Sequence, residues 1–343
     1  MKILILSSLP QDTGAWLRAS YCAKSLHPHA DVELVRPLQN GFRFMLDVLI
    51  TLPFNVYKAL FTSADVLIGF KPFPNVTIPL LLAKIIRKKT IVIDIDDMDY
   101  GFFSPVQALL IKISQIIFPR FFDMVTTHNT TLKDFIVSDF KVKRTNIYLL
   151  QQGVDLQIFN NINSTCQKNS LLYVGHLNIA SELEIILRAV SLVLKERKVT
   201  FTVAGGGPSE KYFRKRAMAL GVPARFTGHI SNTVIAEKIV KADICLVYYQ
   251  VNDVNRYRCS MKLRECLALG KKIVCNDFRD AKNFAAYIYL SSSVIEEYAR
   301  KILSVMDTTD GRERKGACYV RKHLSWASIG KDFYDALSRQ RGL

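Results

Sequence analysis

The chain has 343 residues, 49% hydrophobic and 22% charged, a composition typical of folded globular proteins with room for two domains. No run approaches the roughly 18 apolar residues of a membrane span, and the seven scattered cysteines include no Cys-x-x-Cys pair. Membrane-spanning, disulfide-framework and zinc-site classes are therefore disfavoured, and we expect a cytoplasmic protein. The formal net charge is +17, and residues 166–343, with 30 Lys+Arg and 17 Asp+Glu, carry +13 of it, which predicts an anionic partner.

Strands and helices alternate along the first 150 residues. Buried strands are predicted at 2–7, 32–35, 66–69, 90–94, 124–127 and 147–150, and helices at 15–26, 42–61, 76–87, 105–118 and 130–138. This alternation predicts a parallel, doubly wound α/β sheet. Ligands of such sheets bind at the carboxyl ends of the strands.

The pattern restarts after a linker near 153–168. Strands are predicted at 171–175, 200–204, 225–227, 243–248 and 273–275, and helices at 182–197, 209–220, 233–241, 293–306 and 312–323. We expect two doubly wound domains that face a cleft.

A helix start stands out in the stretch 256–276. Ser260 is a good N-cap, and Gly270 suits the left-handed residue that ends a helix. The free N–H groups of a helix N-terminus, with Arg256 and Arg258 just upstream, favour a phosphate. A solvated charged face of an ordinary helix is the alternative interpretation.

Lys262 and Glu265 lie three residues apart and share a face of this helix. A carboxylate one turn into the helix accepts hydrogen bonds and therefore suits sugar hydroxyls better than phosphate oxygens.

A glycine turn, Gly205-Gly206-Gly207-Pro208, follows a predicted strand and would let the backbone approach a ligand. It departs from the Gly-x-Gly-x-x-Gly dinucleotide fingerprint, so NAD binding is disfavoured. A tight turn without a ligand is the alternative.

These and further motifs stand in one order along nearly the whole chain. They are Gln152-Gly-Val-Asp155 with Phe159, Tyr173-Val-Gly175, Val203–Pro208, Leu220-Gly-Val222, Phe226-Thr-Gly228, Ala242-Asp243, Ser260-x-Lys-x-x-Glu265 and Ser325-Trp326. In this order and spacing they resemble the GT-B glycosyltransferases, most of all the family 4-like group. The resemblance implies two Rossmann-like domains, 1–160 on the acceptor side and 161–326 for the donor, with a final helix at 327–343 that packs back on the first.

The resemblance also implies a nucleotide diphosphate sugar as donor, with Glu265 on the ribose and the helix at Ser260 on the diphosphate. The residues implied in donor binding are Gly14, Gly175, Gly206, Gly207, Ser260, Met261 and Glu265. It implies no metal and no cofactor, because the helix dipole and basic side chains would neutralise the leaving diphosphate.

The sequence departs from the family pattern at the phosphate ligands. Where the family often has an Arg and a Lys after the Tyr-Val-Gly strand, this chain has His176 and Ser181. We predict that Arg258 and Lys262 replace them catalytically, with Arg256 as the substitute for Arg258. A purely solubilising role is the alternative.

A further departure lies after the fourth strand, where a family histidine is replaced by an aspartate-rich turn, 94–99. We predict that Asp96 or Asp97 is the carboxylate nearest the acceptor and acts as a general base. Capping of the following helix or turn is the alternative. The acceptor is expected to be a glycan or a lipid-linked sugar.

The aromatic-rich segment 102–122 fits either an interfacial helix at the anionic inner face of a membrane or a helix buried in the fold, and the buried helix is favoured. Rival functions are a GT-B nucleotide-sugar epimerase, a phosphorylase and a basic nucleic-acid-binding protein. A nucleic-acid partner is not expected, because neither a helix-turn-helix nor interleaved surface aromatics accompany the positive charge.

Overall fold

The computed structural model describes residues 1–9, 13–36, 44–99, 104–160, 165–178, 182–252 and 255–342, and of residues 44–47 it describes the backbone alone. The chain divides into two compact units. The first unit comprises Met1–Gln152 and Trp326–Leu343, and the second unit comprises Gly153–Ser325. The division falls at Gly153 rather than after residue 160, before the linker instead of inside it.

The first unit is a six-stranded parallel sheet with the order β2-β1-β3-β4-β5-β6. Its strands are β1 (Lys2–Ser7), β2 (Asp31–Leu34), β3 (Val66–Phe70), β4 (Thr90–Asp94), β5 (Met124–Thr127) and β6 (Ile147–Leu149). Its helices are α1 (Gly14–Leu26), α2 (Phe44–Phe61), α3 (Pro74–Arg87), α4 (Pro105–Ile116), α5 (Thr130–Ser138) and the C-terminal α13 (Trp326–Gln340).

The second unit is also a six-stranded parallel sheet, with the order β12-β11-β10-β7-β8-β9. Its strands are β7 (Ser170–Val174), β8 (Thr200–Ala204), β9 (Ala224–Phe226), β10 (Ile244–Val247), β11 (Lys272–Asn276) and β12 (Tyr289–Ser291). Its helices are α6 (Leu183–Glu196), α7 (Glu210–Ala219), α8 (Asn232–Lys241), α9 (Met261–Ala268), α10 (Arg279–Lys282), α11 (Ile295–Met306) and α12 (Arg312–His323).

The central strands are buried on both faces because helices cover them. Their sequences are therefore continuous runs of apolar residues. The last helix belongs to the first unit because α13 packs on α1. The ring of Trp326 stacks on Tyr21 with 6.0 Å between centroids. Gly330 approaches α1 so closely that an added Cβ would lie 2.4 Å from the Cβ of Ser25.

Helix α4 departs from the expectation of a buried helix. Only Ile111, Ser114 and Gln115 of this helix are buried, whereas Val106 is 71% exposed and Leu109 59% exposed. Apolar side chains of α4 therefore lie both on the face that packs against the protein and on the face exposed to solvent. Apolar content alone does not reveal how many faces of a helix are covered, so the sequence interpretation was wrong here. Phe102 and Phe103 lie outside the described residues.

Among the described helices, none combines the length and the apolar character that crossing a bilayer requires.

Candidate functional site

The start of α9 has the local structure that the sequence predicts. Ser260 is the N-cap, and its hydroxyl accepts a hydrogen bond from the backbone N–H of Leu263 at 3.2 Å. Gly270 ends the helix with φ of +65°, a conformation that costs glycine little. Both predicted caps are confirmed, and β11 follows them. Met261 is the first helical residue and is half-buried.

A buried ion pair between Asp280 and Arg264 holds this helix start in place. Asp280 accepts a hydrogen bond from the backbone N–H of Ser260 at 2.7 Å, and its two oxygens pair with the guanidinium of Arg264 at 2.6 and 2.9 Å. Arg264 also donates to the backbone carbonyl of Ser260 at 3.0 Å. Burial alone would lower the pKa of Arg264, but attraction to Asp280 outweighs it and raises the pKa. The pair therefore fixes the orientation of the helix N-terminus.

Glu265 and Lys262 are paired to each other. The ammonium of Lys262 lies 2.9 Å from Oε2 of Glu265, as expected for residues three apart on a helix. The carboxylate side chain is 6% exposed and the lysine 28% exposed. The predicted ribose acceptor and the predicted phosphate ligand thus form an ion pair with each other.

Arg258 lies at the same helix start and is engaged by this chain's own side chains. Its guanidinium donates to Oδ1 of Asn255 at 3.3 Å and lies 5.9 Å from the ring centre of Tyr249. Glu182, just before α6, is close enough to attract it electrostatically. Burial raises the pKa of Glu182, although Arg258 opposes the rise. Arg256 is exposed and lies over the ring of its neighbour Tyr257.

Burial also raises the pKa of Tyr249 to about 12, while a hydrogen bond with Ser260 acts against the rise. Glu182, Asn255 and Tyr249 are functional candidates that the sequence interpretation missed. A signal was available for Glu182 and Tyr249, since both follow the carboxyl end of a predicted strand in one sheet.

The glycine turn after β8 packs against this chain's own backbone. A Cβ added to Gly205 would lie 2.0 Å from the carbonyl oxygen of Gly175. A Cβ added to Gly207 would lie 2.4 Å from the carbonyl oxygen of Leu177. At Gly206 it would meet the backbone after β9 at 2.8 Å. Contacts within the protein therefore already require glycine at these positions. The roles predicted for Gly175, Gly206 and Gly207 in donor binding stay predictions.

In the first unit, Gly14 is the first residue of α1 and is exposed, with no heavy atom within 4 Å of an added Cβ. Thr13 caps the helix by accepting from the backbone N–H of Trp16 at 3.3 Å. The start of α1 is therefore open to an approaching group at Gly14.

Asp94, at the end of β4, is fully engaged in the first unit. Arg18 donates to both of its oxygens, at 2.8 and 3.0 Å, and Thr126 donates to it at 2.6 Å. Arg18 also donates to the carbonyl of Leu150 at 2.7 Å and to the amide oxygen of Gln152 at 3.1 Å. Asp94 therefore stabilises the first unit and is not a free base.

The predicted catalytic carboxylates surround a lysine. The ammonium of Lys71 lies 2.6 Å from Asp96, 2.7 Å from Asp99 and 3.5 Å from Asp97. The side chains of Lys71, Asp96 and Asp99 are 7%, 15% and 8% exposed, whereas Asp97 is 28% exposed. Among the predicted pair, Asp97 is thus the carboxylate more open to a substrate. Gln115 on α4 donates to the backbone carbonyl of Asp97 at 2.6 Å.

The pKa values of Lys71, Asp96 and Asp99 follow from burial and mutual attraction. Burial lowers the pKa of Lys71, but the neighbouring carboxylates outweigh this and hold the pKa well above its usual value. Burial raises the pKa of Asp96, yet attraction to Lys71 leaves it below its usual value. Burial raises the pKa of Asp99 to about 7, and its Oδ2 has no hydrogen-bond partner among the described residues.

Lys71 was missed by the sequence interpretation. It directly follows β3, and because β3 and β4 are parallel neighbours, their carboxyl ends bring Lys71 to the aspartates. Within the ranges that the structure describes, no group of three or more His, Cys, Asp or Glu side chains is arranged to hold a metal ion.

A family model described as glycosyl transferases group 1 matches residues 168–308, which include β7 to β12 and all of α9. A search of curated protein sequences found no match.

Similar solved structures cover nearly the whole chain at low identity. HepE from Anabaena in complex with UDP is 14% identical, with a TM-score of 0.78 over 99% of this chain and 100% of that one. Sucrose-phosphate synthase from Thermosynechococcus elongatus is 13% identical, with a TM-score of 0.77 over 99% and 98%. WaaG, a glycosyltransferase involved in lipopolysaccharide biosynthesis, is 12% identical, with a TM-score of 0.71 over 98% and 99%.

The likeness to these structures extends over both units of this chain, each of which is a six-stranded parallel sheet flanked by helices. Residues 168–308 therefore resemble the glycosyl transferases group 1 family, and the chain as a whole has the GT-B fold.

Proposed function

We propose that this protein transfers a sugar from a nucleotide diphosphate sugar to a hydroxyl of a glycan or lipid-linked acceptor. The observation that carries the proposal is the capped start of α9, with the buried Glu265 one turn in and Lys262 bound to it, inside the matched glycosyltransferase domain. HepE has been solved with UDP and with UDP-glucose, so uridine nucleotides are the first donors to test.

In this proposal, the diphosphate binds at the N-terminus of α9 and the ribose binds to Glu265. A helix N-terminus is equivalent to only about half a positive charge, so full charges must balance the leaving diphosphate. Lys262 would leave Glu265 for a phosphate oxygen as the ribose hydroxyls replace it on the carboxylate. Arg258 would supply a second cation, which is half-buried and already held by Asn255. Arg256 is the reserve candidate.

Because these groups supply the positive charge, we propose that transfer needs no metal ion, and a chelator should leave the rate unchanged.

The decisive assay incubates the protein with a panel of nucleotide sugars and a membrane extract and identifies the products. Transfer should be about a hundredfold slower in Arg258→Ala and Lys262→Ala, since loss of one group that stabilises transition-state charge has that effect.

A matched control is Lys282→Ala. Lys282 is a basic residue of the same unit whose carboxylate partner, Asp277, lies 3.5 Å away on the surface. It should transfer sugar at the wild-type rate. Absence of any transferred sugar with the whole donor panel would contradict the proposed function. Near wild-type rates in both variants would contradict the charge-balancing roles alone.

We further propose that the first unit docks on an anionic membrane surface at the cytoplasmic face. Exposed apolar side chains lie along the length of α4 and extend beyond it to Phe121, which is 56% exposed. Phe121 and Ile85 line a cavity of about 960 Å³ together with Arg120, Lys141, Lys143 and Lys84, which pairs with Asp123 at 2.6 Å. Apolar groups next to cations suit an interface of acyl chains and lipid phosphates.

Flotation with vesicles tests this docking. Leu109→Ser combined with Ile113→Ser should abolish binding to vesicles that contain an anionic lipid, and added salt should weaken binding of the wild type. Met218→Ser removes an 80% exposed apolar side chain from the second unit and should bind like the wild type. Equal flotation of wild type and double variant would exclude α4 as the docking surface.

A further inference from the structure

Lys71 is a buried lysine that the proposed donor chemistry does not use. It directly follows β3, and its backbone adopts the left-handed region with φ of +66°. Its N–H donates to the carbonyl of Asp94 at 3.2 Å, and its carbonyl accepts from the hydroxyl of Ser8 at 2.6 Å. A non-glycine residue in this region is disfavoured unless its surroundings hold it there. The start of the Lys71 side chain is therefore fixed by the carboxyl ends of the neighbouring strands.

The ammonium of Lys71 contacts the three carboxylates unequally. Asp96 and Asp99 lie within 2.7 Å and are mostly buried, so they bind the ammonium directly. Asp97 is 0.8 Å or more further away and is the most exposed of the three. Its backbone is tied separately, through its carbonyl, to Gln115. The lysine thus holds the turn through Asp96 and Asp99 and leaves Asp97 as the most exposed of the three carboxylates.

We propose that Lys71 is a positioning residue that orients Asp97 toward the acceptor hydroxyl, and this inference rests on the proposed sugar transfer. In the step that Asp97 would serve, the acceptor hydroxyl gives its proton to a carboxylate oxygen of Asp97. The acceptor oxygen forms the bond to the anomeric carbon, and the bond from that carbon to the diphosphate breaks, with its electron pair leaving on the diphosphate. Lys71 takes no part in the bonds that change.

The charges of the cluster also restrict the acceptor. Three carboxylates share one ammonium, so the turn keeps a surplus of negative charge even when the Asp99 carboxyl holds a proton. An acceptor phosphate would be repelled there, whereas a neutral sugar hydroxyl can donate to Asp97. The group presented to Asp97 is therefore an uncharged hydroxyl, including when the acceptor carries a lipid phosphate elsewhere.

A double-mutant cycle tests whether Lys71 acts through Asp97. Lys71→Met keeps the length and the Cβ of the side chain and removes its charge. It should lower the transfer rate by about a hundredfold, the effect expected when a catalytic group is misplaced by about 1 Å. Asp97→Asn should lower it by a hundredfold or more, since it removes a general base. In the Asp97→Asn background, Lys71→Met should have no further effect.

The split between kcat and the acceptor KM separates misplacement of Asp97 from loss of structure in the first unit, because Lys71→Met should lower kcat and leave the acceptor KM unchanged. Calorimetry with a nucleoside diphosphate should give the wild-type Kd for Lys71→Met, because the donor site lies in the second unit. Lys58→Met is the matched control: it removes a lysine of the first unit that pairs with Glu33 at 2.9 Å, and it should transfer at the wild-type rate. If Lys71→Met does not fold, Lys71→Arg, which keeps the charge and changes the shape, enters the same cycle with the same expected non-additivity.

Multiplicative effects of the two substitutions, or a wild-type rate in folded Lys71→Met, would overturn the role of Lys71. An acceptor that reacts through a phosphate oxygen would overturn the proposed acceptor class. Both results require transfer by the wild type, so they are distinct from failure of the proposed function, in which the wild type itself transfers no sugar.

Discussion

Replacing Glu265 with alanine tests the donor site most directly. The Glu265 carboxylate is 6% exposed and bonded to Lys262, and in the proposed donor site it accepts hydrogen bonds from the ribose hydroxyls. Hydrogen bonds to a charged group contribute about 1.5–3 kcal/mol. Since about 1.4 kcal/mol corresponds to a tenfold change in Kd, we expect nucleoside binding to weaken between about tenfold and a hundredfold.

Because of Lys262, the loss of affinity in Glu265→Ala should differ between a nucleoside and a nucleoside diphosphate. In Glu265→Ala, the ammonium loses its carboxylate partner but remains partly in water at 28% exposure, so it becomes more available to phosphate. We therefore expect a smaller loss of affinity for a nucleoside diphosphate than for the nucleoside.

Isothermal titration calorimetry with both ligands measures the two losses. Glu184→Ala is the matched control, because it removes a glutamate of the same unit that is bonded to Arg188 and Arg216. An unchanged nucleoside Kd in folded Glu265→Ala would refute the ribose role. Equal losses for nucleoside and diphosphate would refute the exchange of Lys262 from carboxylate to phosphate.

Three further predictions concern the supports of the two sites. Arg264→Met should lower the free energy of unfolding by about 3–5 kcal/mol, because it leaves Asp280 buried without its cation; urea unfolding measures this, and a loss below 1 kcal/mol would contradict the supporting role. Gly205→Ala should destabilise the second unit, since φ of +126° and a 2.0 Å approach to a carbonyl oxygen exclude a Cβ; thermal unfolding with a wild-type Tm would contradict the close packing. In Asp99, a folded pKa of about 7 lies above the unfolded value of 3.8, so its stabilising contribution is complete below pH 3.8 and is lost as the pH rises through 7. Asp99→Asn should therefore gain stability relative to the wild type between pH 5 and pH 8 in urea titrations, and a constant difference would contradict the raised pKa.

The features that depend on neighbouring residues in the chain could be predicted from the sequence. Ser260 and Gly270 cap α9 because a side-chain oxygen and a left-handed glycine satisfy backbone groups within one turn. The pairing of Lys262 with Glu265 follows from helical spacing. Alternation of apolar strands with helices was sufficient to predict two parallel doubly wound sheets, and the ordered motifs were sufficient to predict the GT-B fold.

The features that depend on distant residues were decided by the tertiary structure. Lys71 meets Asp96 only because β3 and β4 are parallel neighbours, and Asp280 reaches Ser260 only after β11 has returned the chain to the same edge of the sheet. Apolar residues on α4 do not reveal whether a neighbouring element covers them, and its exposed face is set by what packs against it. Periodicity and capping act within a turn or a strand, whereas burial and ion pairing depend on which elements the fold brings together.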